Sequence, residues 1–181
     1  MTSIPFVDFG GIGSLLHFAH ANAYPPDCYR QFIEPFLADY HVLAVKQRPL
    51  WPHSNPDELT SWQDFTDDLI QFFDQEGLRD VIGVGHSLGA VATMYAAVQR
   101  PELFRALVLI EPVFMPPQIL QLAAAHPDKA AEQPFVLRAL NRRNRWQSRQ
   151  ASFDHFRSKS VFERWSDAVL WDYVNNGIHE E

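Results

Sequence analysis

Gly85-His86-Ser87-Leu88-Gly89 places a serine between two glycines at the end of a short apolar run, Val81-Ile82-Gly83-Val84. A serine hydroxyl is a weak nucleophile, so it needs an exposed position where a base can reach it. A tight strand-to-helix turn provides that position, and the pattern Gly-x-Ser-x-Gly is its sequence form, the nucleophile elbow. Such a turn strains the backbone at the serine and crowds the strand against the helix. Gly85 and Gly89, lacking Cβ, relieve the crowding on either side. The pattern also arises by chance in glycine-rich turns, so its flanks matter. Here a β-branched run precedes it, and a small-residue helix with Ala90, Ala92, Ala96 and Ala97 follows.

Other elements must position that turn. Ile4–Phe9 reads as an early strand with a turn at Gly10-Gly11, and Ser14–Ala19 as a buried strand. Tyr29, Phe32, Ile33, Phe36 and Leu37 recur at helical spacing, with Pro35 breaking or kinking the helix. His41–Val45 is the next strand, and Pro49–Pro56 an irregular loop. Trp62, Phe65, Leu69, Phe72 and Phe73 mark one face of an amphipathic helix capped by Ser61 and ended by Gly77. Asp80–Val84 leads to the elbow, Leu88–Arg100 is the helix behind it, and Arg105–Ile110 is a further strand. Strands alternating with helices predict a mostly parallel sheet flanked by helices.

After Pro112 no β-rich run appears. Ile119–Ala125, Phe135–Gln150 and Ser160–Asn175 read as helices among prolines 116, 117, 127 and 134. Trp146, Phe153, Phe156, Phe162, Trp165 and Trp171 make this part aromatic. They pack it against the sheet, and some could also line an apolar acyl or aromatic pocket. Residues 1–112 thus form the core, and 113–181 a helical, cap-like segment.

A chain of 181 residues suits one domain, and 46% hydrophobic with 20% charged residues is ordinary for a globular protein. The net charge of −7 argues against a nucleic-acid partner. No stretch reaches the roughly 20 apolar residues of a membrane span. Without a signal-peptide pattern, and with Cys28 alone unable to form an internal disulfide, a cytoplasmic location is expected. Arg138, Arg142, Arg143, Arg145 and Arg149 fall in one stretch. They read either as an anion or phosphate site or as a solvated helix face offsetting acidic neighbours.

Taken together, three segments resemble the α/β-hydrolase superfamily. Leu15-Leu16-His17-Phe18-Ala19-His20-Ala21-Asn22-Ala23-Tyr24-Pro25 resembles its strand and oxyanion loop, although Ala21 stands where a glycine commonly follows the histidine. Gly85–Gly89 with its helix through Arg100-Pro101-Glu102-Leu103-Phe104 is similar to the elbow. Leu107-Val108-Leu109-Ile110-Glu111-Pro112 is similar to the next strand and its exit.

The resemblance implies roles. Ser87 is the nucleophile, and the Leu88 N–H donates to the oxyanion, joined by the N–H of Asn22 or Ala21. His20 shapes its loop, and His86, in the variable elbow position, packs beside the pocket. Some members, certain haloalkane dehalogenases among them, carry the catalytic acid at the end of the strand after the elbow, the place of Glu111. An ester or related acyl substrate is implied, with lipase, carboxylesterase, thioesterase, carbon–carbon hydrolase and acyltransferase chemistry all open. Aspartate-dependent dehalogenase and epoxide hydrolase chemistry is disfavoured. No metal or organic cofactor is implied.

The family order ends on a histidine after the last strand. His126, His155 and His179 follow Glu111, but all lie in the helical segment and read as surface or packing residues. Two further strands are also expected and not found. The chain therefore reads as an N-terminal portion of a longer hydrolase, its Arg105–Ile110 strand offering an unpaired edge for self-association. The competing class is a non-catalytic protein that keeps the fold for binding or assembly.

Overall fold

The computed structural model describes residues 3–59, 61–126, 129, 132–133, 136–137 and 141–178. Five strands form one sheet: β1 (Phe6–Gly10), β2 (Ser14–Ala19), β3 (Tyr40–Val45), β4 (Val81–His86) and β5 (Phe104–Ile110). Their spatial order is β1-β3-β2-β4-β5, and only β1, against β3, is antiparallel. The register sets Ala19 beside Gly85, and Leu109 beside Gly85 on the other flank. The carboxyl ends of β2, β4 and β5 therefore converge.

Side-chain alternation divides the core. Leu43 and Val45 face a cluster with Leu69, Phe72, Phe73, Val81 and Ala96, whereas Val42 and Ala44 join Leu16, Phe18, Ile33 and Val84 on the other face. Helices α2 (Gln63–Gln75) and α3 (Leu88–Gln99) cover the first face. In α2, Phe65, Leu69, Phe72 and Phe73 are buried, but Trp62 is 47% exposed just outside the helix. Ser61 Oγ accepts from Gln63 N–H, and Asp64 accepts from Ser61 N–H, a reciprocal cap. The segment 26–36 is broken as its proline predicts: a short helix α1 (Arg30–Ile33) lies between 3-10 turns at Pro26–Tyr29 and Glu34–Phe36.

The described residues after β5 contain no strand; their longer helices are α4 (Pro117–Ala125), α5 (Arg149–Arg157) and α6 (Asp167–Gly177). Here the boundaries differ from expectation. Residues 142–147 are not helical, and α5 starts only at Arg149 because Ser148 Oγ accepts from Ala151 N–H. Likewise the expected helix over 160–175 is a 3-10 turn, Ser160–Phe162, followed by α6, which Ser166 caps through Val169 N–H. Residues 135 and 138–140 of the expected helix, Arg138 included, lie outside the described residues. Phe153, Phe156, Phe162, Leu170, Tyr173 and Val174 form a core of their own, which also takes in Cys28 from beyond β2.

β5 is the strand expected to offer an edge, and along its Ala-Leu-Val-Leu-Ile run Leu107 is 38% and Val108 50% exposed. The cause is position: β5 has β4 on one side and no strand on the other among the described residues.

Candidate active site

Ser87 lies between β4 and α3 with φ 54° and ψ −116°. This left-handed region is costly for a residue with a side chain and persists only when surroundings enforce it. The surroundings are on both sides. Ser87 N–H donates to Ile110 O at 2.9 Å, and Ser87 O accepts from Val91 N–H at 3.2 Å. A Cβ on Gly85 would stand 2.5 Å from Ala90 Cα, and one on Gly89 only 2.2 Å from Ala19 O. The two glycines are therefore sterically required, since real Cβ atoms do not approach backbone that closely.

The Leu88 N–H opens α3, where a helix has no internal acceptor for its first donors. Of the two alternatives for a second donor, Ala21 N–H is engaged, donating to Tyr29 Oη at 3.2 Å. Asn22 N–H has no hydrogen bond among the described residues, and Asn22 is exposed.

His20 holds this loop. Its Nε2 accepts from Gln47 N–H at 3.0 Å, so the proton sits on Nδ1 and is donated to Ala21 O at 2.9 Å. Gln47 Nε2 returns a bond of 2.6 Å to His20 O. Burial pulls the His20 pKa down to about 4, so the ring stays neutral. His17, one turn of the pleat away, is wholly buried and pulled down to about 3 by the same cause.

His86, Ser87, Ala21, Asn22 and Glu111 line one cavity of about 480 Å³, whose walls also include Tyr24, Cys28, Tyr29, Gln31 and Phe32. Val161, Trp165 and Val169 from the helical segment close it. Leu88 is buried behind its rim rather than lining it. Thus Trp165, of the six aromatics noted above, faces the cavity, while Phe153, Phe156 and Phe162 serve as core. Burial holds the His86 imidazole below its ordinary range, with the Glu111 charge opposing the shift. Burial also pushes the Cys28 thiol up to about 12, so it is protonated and inert at neutral pH.

Glu111 stands just past the end of β5, the place where the resemblance puts the catalytic acid. It is exposed, at φ 45°, and reaches the cavity from the turn that ends β5. His126 caps α4 through its backbone N–H, and His155 packs on Trp146 and Phe156. Neither lines the Ser87 cavity, and His179 lies outside the described residues. Sequence reasoning missed Tyr29, whose hydroxyl bonds Ala21 and lies 2.8 Å from His86 Nδ1. Its helical spacing with Phe32 and Ile33 marks it only as apolar. Among the described residues no three His, Cys, Asp or Glu side chains group to hold a metal ion, and no helix is long and apolar enough to cross a membrane.

A mostly parallel sheet with a strained serine between strand and helix defines an α/β-hydrolase fold. The sequence model of the alpha/beta hydrolase family matches residues 18–175, and the chain belongs to that family. Strigolactone esterase RMS3 of Pisum sativum is 30% identical over 100 residues, covering 52% of this chain and 37% of that protein. A strigolactone esterase of Arabidopsis thaliana is 38% identical over 61 residues, covering 31% and 23%. Among solved structures, E-2-(acetamidomethylene)succinate hydrolase superposes with a TM-score of 0.67 at 21% identity, covering 94% of this chain and 58% of that one. The thioesterase domain from the curacin biosynthetic pathway superposes with a TM-score of 0.70 at 16% identity, covering 94% and 62%. The chain thus spans less than two thirds of the length of each.

Proposed function

We propose that the protein is a serine hydrolase acting on an ester or related acyl substrate. The observation that carries this reading is the enforced left-handed conformation of Ser87 beside the unsatisfied Leu88 N–H, on a cavity large enough for a small acyl group. In the proposed reaction Ser87 Oγ attacks the carbonyl carbon, its proton passes to the leaving oxygen, and the bond from the acyl carbon to that oxygen breaks to release the alcohol. The N–H groups of Leu88 and Asn22 receive the oxyanion, and water then cleaves the acyl-enzyme. Glu111 fits the acid that would orient a base from the end of β5. The segment from 113 onward acts as a cap, its Val161, Trp165 and Val169 supplying the apolar wall.

The names of the matched relatives support the ester class, since two of them are esterases. The test is covalent labelling by a fluorophosphonate. Labelling of the wild-type protein that disappears in Ser87→Ala is the expected result; an unlabelled wild-type protein overturns the reading.

One observation favours a second reading, a binding or assembly protein of the same fold. Among the described residues the one imidazole on the Ser87 cavity is His86, and its Nδ1 is engaged by Tyr29. A serine without a free base loses several powers of ten in rate. In that case small acyl ligands bind wild-type protein and Ser87→Ala alike, and no label is taken up.

A further inference from the structure

Most described arginines are neutralised. Arg30, Arg48, Arg79, Arg100, Arg105 and Arg157 each pair with an aspartate or glutamate. Arg142 and Arg143 do not. Arg142 Nη2 donates to the buried Tyr173 hydroxyl at 2.7 Å, and Arg143 Nε donates to Arg145 O at 3.0 Å while its guanidinium lies 5.7 Å over the Trp146 ring. Lys159 forms no ion pair among the described residues. These three cations, with His155, line a cleft of about 510 Å³ to which no carboxylate among the described residues contributes. In a protein of net charge −7, these cations make a local basic patch, and a cleft lined by one sign of charge attracts ligands of the other.

The cleft is not remote from Ser87. Tyr24 and Val161 line both it and the Ser87 cavity. Burial raises the Tyr24 phenol's pKa and the adjacent Arg142 charge opposes the rise, so Arg142 stands at the shared wall. The His155 imidazole is held down by burial and then by the charges of Lys159 and Arg143, with no acid offsetting them. The guanidinium of Arg143 is oriented by its carbonyl and its ring, and that of Arg142 by a phenol. Both are thereby preorganised without being neutralised, which suits planar recognition of a carboxylate or phosphate.

We propose that this cleft is an anion subsite of the Ser87 cavity, and that the acyl substrate carries a carboxylate or phosphate group at one end. The inference rests on the reading of Ser87 as the centre of an acyl-binding site. The arginine stretch 142–149 then serves recognition in part, where its sequence alone reads first as a solvated helix face.

The test uses Ser87→Ala protein titrated with three phenyl esters that differ at the far end of the acyl chain: phenyl pentanoate, monophenyl glutarate and phenyl 4-phosphonobutanoate. Quenching of tryptophan fluorescence reads binding, with calorimetry as the second measurement. The anionic esters bind about tenfold or more tighter than the neutral one, and the preference shrinks as ionic strength rises. In Arg143→Ala/Lys159→Ala, whose two side chains are exposed, the preference falls by about tenfold, whereas Arg79→Ala at the other end of β4 keeps it. Equal binding of all three esters, binding of none, or a preference that survives the double substitution overturns the subsite. The ranking of the two anions identifies the head group. Failure here is separable from failure of the hydrolase reading. A fluorophosphonate-labelled protein without the preference loses only the subsite, and an unlabelled one that keeps it loses only the hydrolysis.

Discussion

Tyr29 Oη lies 2.8 Å from His86 Nδ1 and accepts from the buried Ala21 N–H at 3.2 Å. One phenol therefore ties the oxyanion loop after β2 to the residue preceding Ser87. The contact occupies His86 Nδ1, whichever of the two groups carries the shared hydrogen.

Tyr29→Phe tests that link. The substitution keeps the ring that packs on Phe18 at 4.6 Å between centroids but strands the Ala21 N–H. Stability should fall by about 1–3 kcal/mol, the cost of an unsatisfied buried donor. Urea unfolding measures that loss. Fluorophosphonate labelling of Ser87, if the loop positions the oxyanion donors, slows several-fold in the same variant. A variant as stable as wild type shows that the Ala21 bond contributes nothing.

Acid should unfold the protein through His17 and His20. Burial lowers both, to about 3 and about 4, from an ordinary value of 6.5. Below pH 6.5 the unfolded chain binds protons that the folded chain refuses, so stability falls with decreasing pH. The loss reaches about 2.7 kcal/mol per pH unit at most while both rings remain neutral in the fold, and it diminishes below about pH 4 as His20 takes its proton. Above pH 6.5 these two groups contribute no pH dependence. Chemical unfolding at successive pH values reads the slope. His17→Gln, which can still accept from Val45 N–H, should about halve it between pH 6.5 and 4.

How far the sequence discloses this site depends on the range of the forces involved. The elbow is legible because Gly85 and Gly89 answer a local steric demand, each within two residues of Ser87. The strands from Ser14 to Ile110 are legible from β-branched and apolar runs, and α2 from one apolar face. The Tyr29–His86 bond spans 57 positions and leaves no periodic trace. The cation cleft draws Tyr24 and Arg142 together from opposite ends of the chain, which spacing does not reveal. The helix boundaries after Pro112 slipped for a different reason. Ser148 and Ser166 are the caps, and continuous aromatic content across 146–171 outweighed them.

The two elbow glycines can be separated from ordinary turn glycines by substitution. At Gly89 an added methyl meets Ala19 O at 2.2 Å, backbone against backbone, with no side chain to swing aside. Gly89→Ala should cost about 4 kcal/mol or more, or leave the protein insoluble. Gly10, at φ 77°, has nothing within 4 Å of its would-be Cβ. Gly10→Ala therefore carries only the left-handed penalty of about 1–2 kcal/mol. Thermal melts of the pair give the comparison, and equal losses would falsify the steric account of Gly89.

The exposed edge at β5 is expected to govern self-association. Among the described residues the backbone of Phe104–Ile110 pairs with β4 on one side only, while Leu107 and Val108 leave apolar side chains in water on opposite faces. Unpaired strand groups flanked by apolar side chains form a template for another strand, and a second copy offers the same edge in antiparallel orientation. Val108→Lys places a charge beside those groups, where pairing with a like copy would bring two lysines close together. Its effect on folding should be small, because Val108 is half exposed. Sedimentation velocity across a concentration series is the measurement. Wild-type protein should associate as concentration rises, and Val108→Lys should remain monomeric at the same concentrations. A wild-type chain that sediments as a monomer throughout removes the edge from the list of contacts this protein makes.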